Sequence, residues 1–240
     1  MFAVIFEVQP KQDRWNDYLA LAKQLKPKLE ATEGFIDNER FKSKRTEGRI
    51  LSLSTWRDEK SVVRWRSHGE HHAVQEKGRF EVFEDYRLRV GEITADTQPP
   101  QGLQVEQTRF DETDIGGAKA VTITELAPHE GATLGVGAAL LHGHLGLPDH
   151  AEGLVDTEVF ESIYNPGKLL VLSSWRDADA ARSWAPTKPG AAGAMRHRQV
   201  RVIRDYGMFE RREAPQFFPQ AAETNARSSR ASHSSPRVRV

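Results

Sequence analysis

Apolar residues recur with a period of two at Phe2, Val4, Phe6 and Val8, with Ala3 and Ile5 between them. That pattern predicts a strand with both faces covered. From Lys11 to Thr32 the period lengthens: Trp15, Tyr18, Leu19, Ala22, Leu25 and Leu29 fall at helical spacing. Pro27 is expected to kink or break this helix near its last turn, because it lacks an N–H and crowds the preceding turn. Gly34 then turns the chain into a strand through Phe41, and Gly48 marks a hairpin into residues 50–56. Asp58 is placed to cap a second helix carrying Val62, Trp65 and His68 or His72 along one side. A closing strand runs from about Phe80 to Val90. Strand, helix, strand, strand, helix, strand is the ferredoxin-like βαββαβ order, with both helices on one face of the sheet.

The same order is written twice. Residues 33–65 and 152–184 align without a gap, and 14 of the 33 positions are identical. The strand ending at Pro10 matches the one ending at Pro128, Asp177 takes the place of Asp58, and Phe80–Tyr86 is read as matching Val200–Tyr206. One such module leaves an apolar sheet face uncovered, and the second copy supplies a cover within the same chain. The expected organisation is a first domain over 1–93, a linker over 94–117, a divergent second domain over 118–213 and a tail over 214–240. The linker is polar, although Leu103–Phe110 has the makings of a short strand. The tail is rich in Ala, Ser, Asn and Arg, so it lacks the apolar content to bury a core and is expected to be disordered.

Composition narrows the partners. Thirty-four basic residues balance thirty-four acidic ones, which gives no bulk attraction to nucleic acid or to an anionic membrane. Cysteine is absent, so disulfides, Cys-ligated zinc, iron–sulfur clusters and thiol nucleophiles are excluded. No stretch approaches the ~20 apolar residues of a membrane-spanning helix, and residues 1–10 do not read as a signal peptide. A cytoplasmic location is the expectation. A phosphate-cradling glycine-rich loop is lacking, and Gly135-Val136-Gly137 begins but does not complete a dinucleotide fingerprint.

Glu33-Gly34-Phe35, Ser54-Thr55-Trp56-Arg57-Asp58, Trp65, the H-x-x-H-H run at His68, His71 and His72, and Phe83-Glu84-Asp85-Tyr86-Arg87-Leu88 resemble the antibiotic biosynthesis monooxygenase (ABM) family. The likeness covers residues 2–92 well and 118–211 more weakly. It implies an α+β fold of two tandem ferredoxin-like modules closing into a dimeric α+β barrel within one chain, a pseudo-dimer, with a pocket between each sheet and its own helices. Further association into a homo-oligomer is left open. The resemblance also implies cofactor-independent monooxygenation of a small aromatic or quinone-like substrate, with no cofactor and no metal. Two alternatives stand beside it: a non-catalytic small-ligand-binding barrel, and a heme-binding or heme-degrading member. Heme-degrading members carry an asparagine near the position of Val4 (Thr122 in the second copy) and a ligating histidine near Val74.

The candidate catalytic residues are His68, His71 and His72, because imidazole exchanges protons near neutrality. All three are missing from the second copy, where Pro186 and Pro189 interrupt the helix. Arg40 and Tyr86 are candidate donors to a substrate oxygen, and Trp65 is a candidate wall for a flat substrate. Trp56 and Trp65 recur as Trp175 and Trp184, which also suits core packing, and Tyr86 is read as recurring in Tyr206. His142, His144, Asp149 and His150 form a second polar cluster in a Gly- and Pro-rich segment, read as solvated loop.

Overall fold

The computed structural model describes residues 1–215 apart from 131 and 136. The first half runs β1 (Phe2–Pro10), α1 (Trp15–Glu30), β2 (Phe35–Ser43), β3 (Ile50–Trp56), α2 (Glu59–Arg66), α3 (Gly69–Lys77), one π-helical turn (Gly78–Val82) and β4 (Phe83–Asp96). The second runs β5 (Ala120–Pro128), α4 (Ala138–His144), β6 (Leu154–Ser162), β7 (Leu169–Trp175), α5 (Ala178–Arg182) and β8 (Ala192–Gly207). Asp58 and Asp177 cap their helices as expected, each accepting from a backbone N–H three residues on at 2.8 Å.

Four local expectations need correction. α1 continues through Pro27 to Glu30: the proline lies in the final turn, Ala31 N–H still reaches Pro27 O, and buried Leu29 holds that turn down. The expected single second helix is two, because the backbone is extended at His68 between α2 and α3. β4 starts at Phe83, since residues 78–82 form the π turn. Residues 103–110 form no strand; Leu103 and Val105 instead pack on the barrel core. Ala214 is buried, and residues 216–240, most of the expected tail, lie outside the described residues.

The eight strands close into one barrel in the order β1-β3-β2-β6-β7-β5-β8-β4, with every neighbouring pair antiparallel. Each half contributes a four-stranded sheet, and two seams, β2–β6 and β4–β8, join them. Both seams obey the repeat. At the first, Phe41 faces Ser162, Lys42 faces Glu161 and Ser43 faces Phe160. Since Phe41 matches Phe160 and Ser43 matches Ser162, a pseudo-dyad passes between Lys42 and Glu161.

The second seam corrects the sequence alignment. Ile5 of β1 faces Arg89, and its counterpart Ile123 faces Arg198, so Arg89 matches Arg198 and Tyr86 matches Met195. Tyr206 is therefore not the counterpart of Tyr86. It lies further along β8, opposite Leu88 across the seam. In this register Glu92 matches Arg201, and the two face each other. At both pseudo-dyads, identical modules would set like charge against like, which opposes pairing; the fused chain sets a base against an acid.

Two forked ion pairs cross the second seam. Arg87 reaches Asp205 at 3.0 and 2.5 Å, and its counterpart Arg196 reaches Asp96 at 3.1 and 2.7 Å. Bidentate geometry fixes orientation as well as adding attraction. Glu92 holds the connector by accepting from Thr108 and Arg109 backbone N–H at 2.7 and 3.0 Å.

Residues of one strand parity fill the barrel interior: Ala3, Ile5, Phe41, Leu51, Leu53 and their second-half counterparts. Two more matched pairs lie there, Glu7–Arg89 at 2.6 Å and Glu125–Arg198. Arg89 also donates to Ser174 at 2.8 Å, and Arg198 to Thr55 at 3.0 Å, so each guanidinium ties its own half to the opposite one. Burial pushes both guanidiniums below their ordinary value; the adjacent glutamate is what keeps such a charge tolerable.

Glu7→Gln should therefore leave Arg89 uncompensated and cost about 3–5 kcal/mol in urea unfolding, with Glu7→Leu plus Arg89→Met recovering most of that loss. Gly91→Ala should cost about 1–3 kcal/mol in the same assay. The added Cβ would lie 2.3 Å from Arg201 O and 2.4 Å from Val200 Cγ1, inside the second seam.

Candidate active site

The outer faces of the two sheets carry different loads. In the second half that face is covered by a packed cluster including Leu134, Leu141, Leu145, Leu147, Trp175 and Trp184, with Met195 against it. In the first half the corresponding space is a cavity of about 440 Å³ between the sheet and α1, α2 and α3. This lies within the ~300–1,000 Å³ of small-molecule sites. Its floor is Val4, Phe6, Leu88 and Val90, with Asn38, Arg40, Ser52 and Ser54 toward β2. Its roof includes Tyr18, Ala22, Leu25, Leu29, Val62, Trp65 and Val74. Polar contacts made against the apolar part of this wall are stronger than the same contacts in water.

His71 is the best-defined polar group on this wall. Its ring stacks on Trp65 with centroids 4.2 Å apart and planes 18° from parallel. Nδ1 lies 3.0 Å from Trp65 O. A carbonyl only accepts, so Nδ1 carries the proton and Nε2 keeps its lone pair. Among the described residues the bond to Trp65 O is the one side-chain hydrogen bond of His71, and Nε2 has no partner. Burial lowers the His71 pKa to about 4, with the Trp65 carbonyl acting in the opposite direction. The ring is neutral at pH 7, a proton acceptor held in one tautomer.

The other candidates divide. His72, Arg40, Trp65 and Tyr86 line the cavity, whereas His68 is not on its wall. His68 precedes the first turn of α3, 6.1 Å from Trp65, with Nδ1 buried and unpartnered. Arg40 also has a buried, unpartnered Nε. Trp56 is core, fully buried, with Nε1 donating to Ser54 at 2.9 Å; Trp175 does likewise to Thr122 at 2.9 Å. Trp65 and Trp184 diverge, one on an open cavity and the other buried in the filled half. Val4 and Val74, the positions where heme-degrading members carry Asn and His, both face the cavity and offer no ligand there. His142 bonds to Thr157 at 3.2 Å, and no group of three or more His, Asp or Glu that could hold a metal ion occurs among the described residues.

Sequence reasoning missed the far wall. Arg66, Arg204, Tyr206 and Arg211 complete the cavity, the last three from the second half. Burial pushes the Tyr206 phenol up to about 12, which keeps it a donor, and Arg211 donates to Tyr86 Oη. No motif announced Arg204, Tyr206 or Arg211 as part of this site, because they reach the first-half cavity only by crossing a seam. His197 was also overlooked. It bonds to Thr124 at 2.9 Å within the filled half, and burial lowers its pKa to about 4.

Comparison with known proteins places this geometry in a family. The antibiotic biosynthesis monooxygenase pattern matches residues 1–77 and again 120–191. A protein named Jasmonate monooxygenase ABM, from Pyricularia oryzae, is 44% identical over 227 residues, spanning 92% of this chain and 100% of its own. Uncharacterized protein YqjZ of Bacillus subtilis is 30% identical over 92 residues, 38% of this chain and 78% of its own. A crystal structure of aldoxime dehydratase in complex with butyraldoxime shares the fold, with TM-score 0.52, 12% identity and coverage of 84% of this chain and 79% of that one. Among the described residues no helix is long and apolar enough to cross a membrane. With the family pattern matched in both halves and a 44% identical relative along nearly its whole length, the chain belongs to the antibiotic biosynthesis monooxygenase family and is a monooxygenase.

Proposed function

We propose that the first-half cavity is the active site of a cofactor-independent monooxygenase acting on a small, largely apolar cyclic compound with an acidic C–H beside a carbonyl. The class includes aromatic anthrones and quinone precursors; it also includes jasmonate, a cyclopentanone acid and the compound in the name of the 44% identical relative. The observation that carries this reading is His71: a neutral imidazole on the cavity wall, fixed in one tautomer, with no hydrogen bond to Nε2 among the described residues.

The chemistry follows from that placement. Nε2 takes the proton from the activated methylene, leaving an enolate. Arg40, on β2, is positioned to donate to the enolate oxygen, and the Trp65 indole, stacked on the imidazole, fixes the orientation of the base. The enolate carbon supplies the electrons to O₂ and forms a peroxide bond. Loss of the second methylene hydrogen, with cleavage of the O–O bond, leaves one oxygen in a new carbonyl and releases the other as water. CH₂ plus O₂ gives C=O plus H₂O, so no external reductant is required.

Oxygen uptake on a panel of anthrones and jasmonate, coupled to mass analysis of the product, tests the reading. His71→Ala should lower kcat by about 10²–10⁴, whereas His68→Ala should change it by less than about threefold. Full activity in the His71 variant would remove the proposed base.

The pH profile is a separate check. A base with a pKa of about 4 stays unprotonated well below neutrality, so kcat/KM should remain level from pH 8 to about 5 and fall only near 4. A fall centred on 6.5 would mean an ordinary, solvated histidine is acting. Stability moves in the same direction. In the unfolded chain His71 and His197 regain values near 6.5, so below that pH the unfolded state binds more protons. Melting temperature should be level above 6.5 and decline steadily toward pH 4.

A further inference from the structure

We infer that the seam end of the cavity is a carboxylate-binding subsite, built by Arg66 of α2 and Arg204 and Arg211 of the second half, with the hydroxyls of Tyr86 and Tyr206. It anchors the anionic end of an otherwise apolar ligand. The inference rests on the reading that this cavity takes the substrate, and it adds the substrate's charge and orientation.

The arginines of this protein fall into two groups. Arg45, Arg57, Arg87, Arg89, Arg109, Arg196 and Arg198 each reach a carboxylate of the chain itself. Arg40, Arg66, Arg79, Arg204 and Arg211, all on the cavity wall, reach none among the described residues, and of these Arg66, Arg204 and Arg211 gather around Tyr206. Arg66 Nε is also buried without a hydrogen-bond partner.

These groups are neighbours. Arg204 and Tyr206 are alternate residues on one face of β8, opposite Val90 and Leu88 of the cavity floor. Tyr86 is two residues from Leu88 on the same face of β4, and its hydroxyl accepts from Arg211. Arg66, Arg211 and Arg204 all act electrostatically on the Tyr206 phenol. Two carboxylates lie elsewhere on the wall, Glu59 and Glu76, and Glu59 is already held by Arg109.

Arg204 acts at a distance on the Asp111 carboxylate, but none of the three half-buried guanidiniums is in salt-bridge contact with a carboxylate among the described residues; like charges so gathered repel one another, an arrangement that an anion between them relieves. Guanidinium forks match a carboxylate, and the two phenols supply further donors. Phe6, Leu88 and Val90 beside the cluster suit a hydrocarbon body rather than a polar one. The anion is therefore the end of an amphipathic acid. Arg40, across the sheet beyond β3, β1 and β4, stays available for the reacting oxygen.

Anaerobic titration followed by tryptophan fluorescence tests this without turnover. The probes are jasmonate and 1-naphthylacetate, each against its methyl ester. Wild type should bind at least one acid tenfold or more tighter than its ester at pH 7. Arg66→Gln plus Arg204→Gln should weaken that acid 10- to 100-fold and leave the ester within threefold, with melting temperature unchanged or raised. Equal binding of acid and ester by wild type, or acid affinity unaltered in the double variant, would overturn the subsite even if oxygen uptake is observed. An acid preference that the double variant abolishes, in a protein that oxidises nothing on the panel, would uphold the subsite and refute the oxygenase chemistry of the cavity instead.

Discussion

The pairing of β4 with β8 is the contact on which the rest of the molecule depends. A four-stranded sheet with helices on one face has a bare apolar face and two open edges, and neither is stable in water. Closing two such sheets into a barrel covers both faces and removes every edge at once. The cost is charge in a confined space, since Arg87, Arg89, Arg196 and Arg198 all lie at or inside the closure. Each is answered by a carboxylate, and each answer has its pseudo-symmetric twin. The seam thus specifies a single register: a one-residue slip would turn every side chain to the other face and leave four guanidiniums opposite the wrong partners.

The same seam joins fold to chemistry. β8 runs past the end of its own sheet's pairing, and the residues beyond that point lie against the floor of the first half's cavity. The site is therefore not a property of one βαββαβ module. His71 and Trp65 are set by the local sequence that ends α2 and begins α3, whereas Arg204, Tyr206 and Arg211 are set by closure of the barrel. A first half expressed alone would keep the imidazole and lose the far wall.

What could be read from the sequence, and what could not, divides along this line. The period-2 and helical patterns, the duplicated Trp-Arg-Asp ends of the third strands and the two aspartate caps are local signals, and the elements they mark are present. Five of the six candidate residues, Arg40, Trp65, His71, His72 and Tyr86, lie on the wall of the first-half cavity. His68 lies off that wall for a local reason, the extended backbone that separates α2 from α3. Tyr206 failed for a non-local one. Matching it to Tyr86 through a shared Asp-Tyr pair was reasonable by composition, but strand register follows the ladder, and the ladder pairs Arg89 and Arg198 with equivalent isoleucines. Seam-crossing residues carry no periodic signature of their own.

Fusion also explains why, among the described residues, the first half keeps an open cavity and the second half is packed. In a homodimer any residue placed at a seam appears twice, so a cation cluster built for one pocket is imposed on the other. Here the positions matching Arg204 and Tyr206 are Ala95 and Thr97, at the end of β4 beside the filled half. The cluster is thus present on one side alone. The second half lacks the helix that would carry histidines, since Pro186 and Pro189 stand there, and its interior is closed by Leu134, Leu141, Leu145 and Leu147. A filled second cavity stabilises the barrel without needing polar groups that would be costly when unoccupied. The open first cavity retains unpaired guanidiniums, Nε2 of His71 and about 440 Å³ of unfilled space, each a liability for stability. One half supplies the packing that lets the other keep an incompletely filled site, a division that two identical subunits could not make.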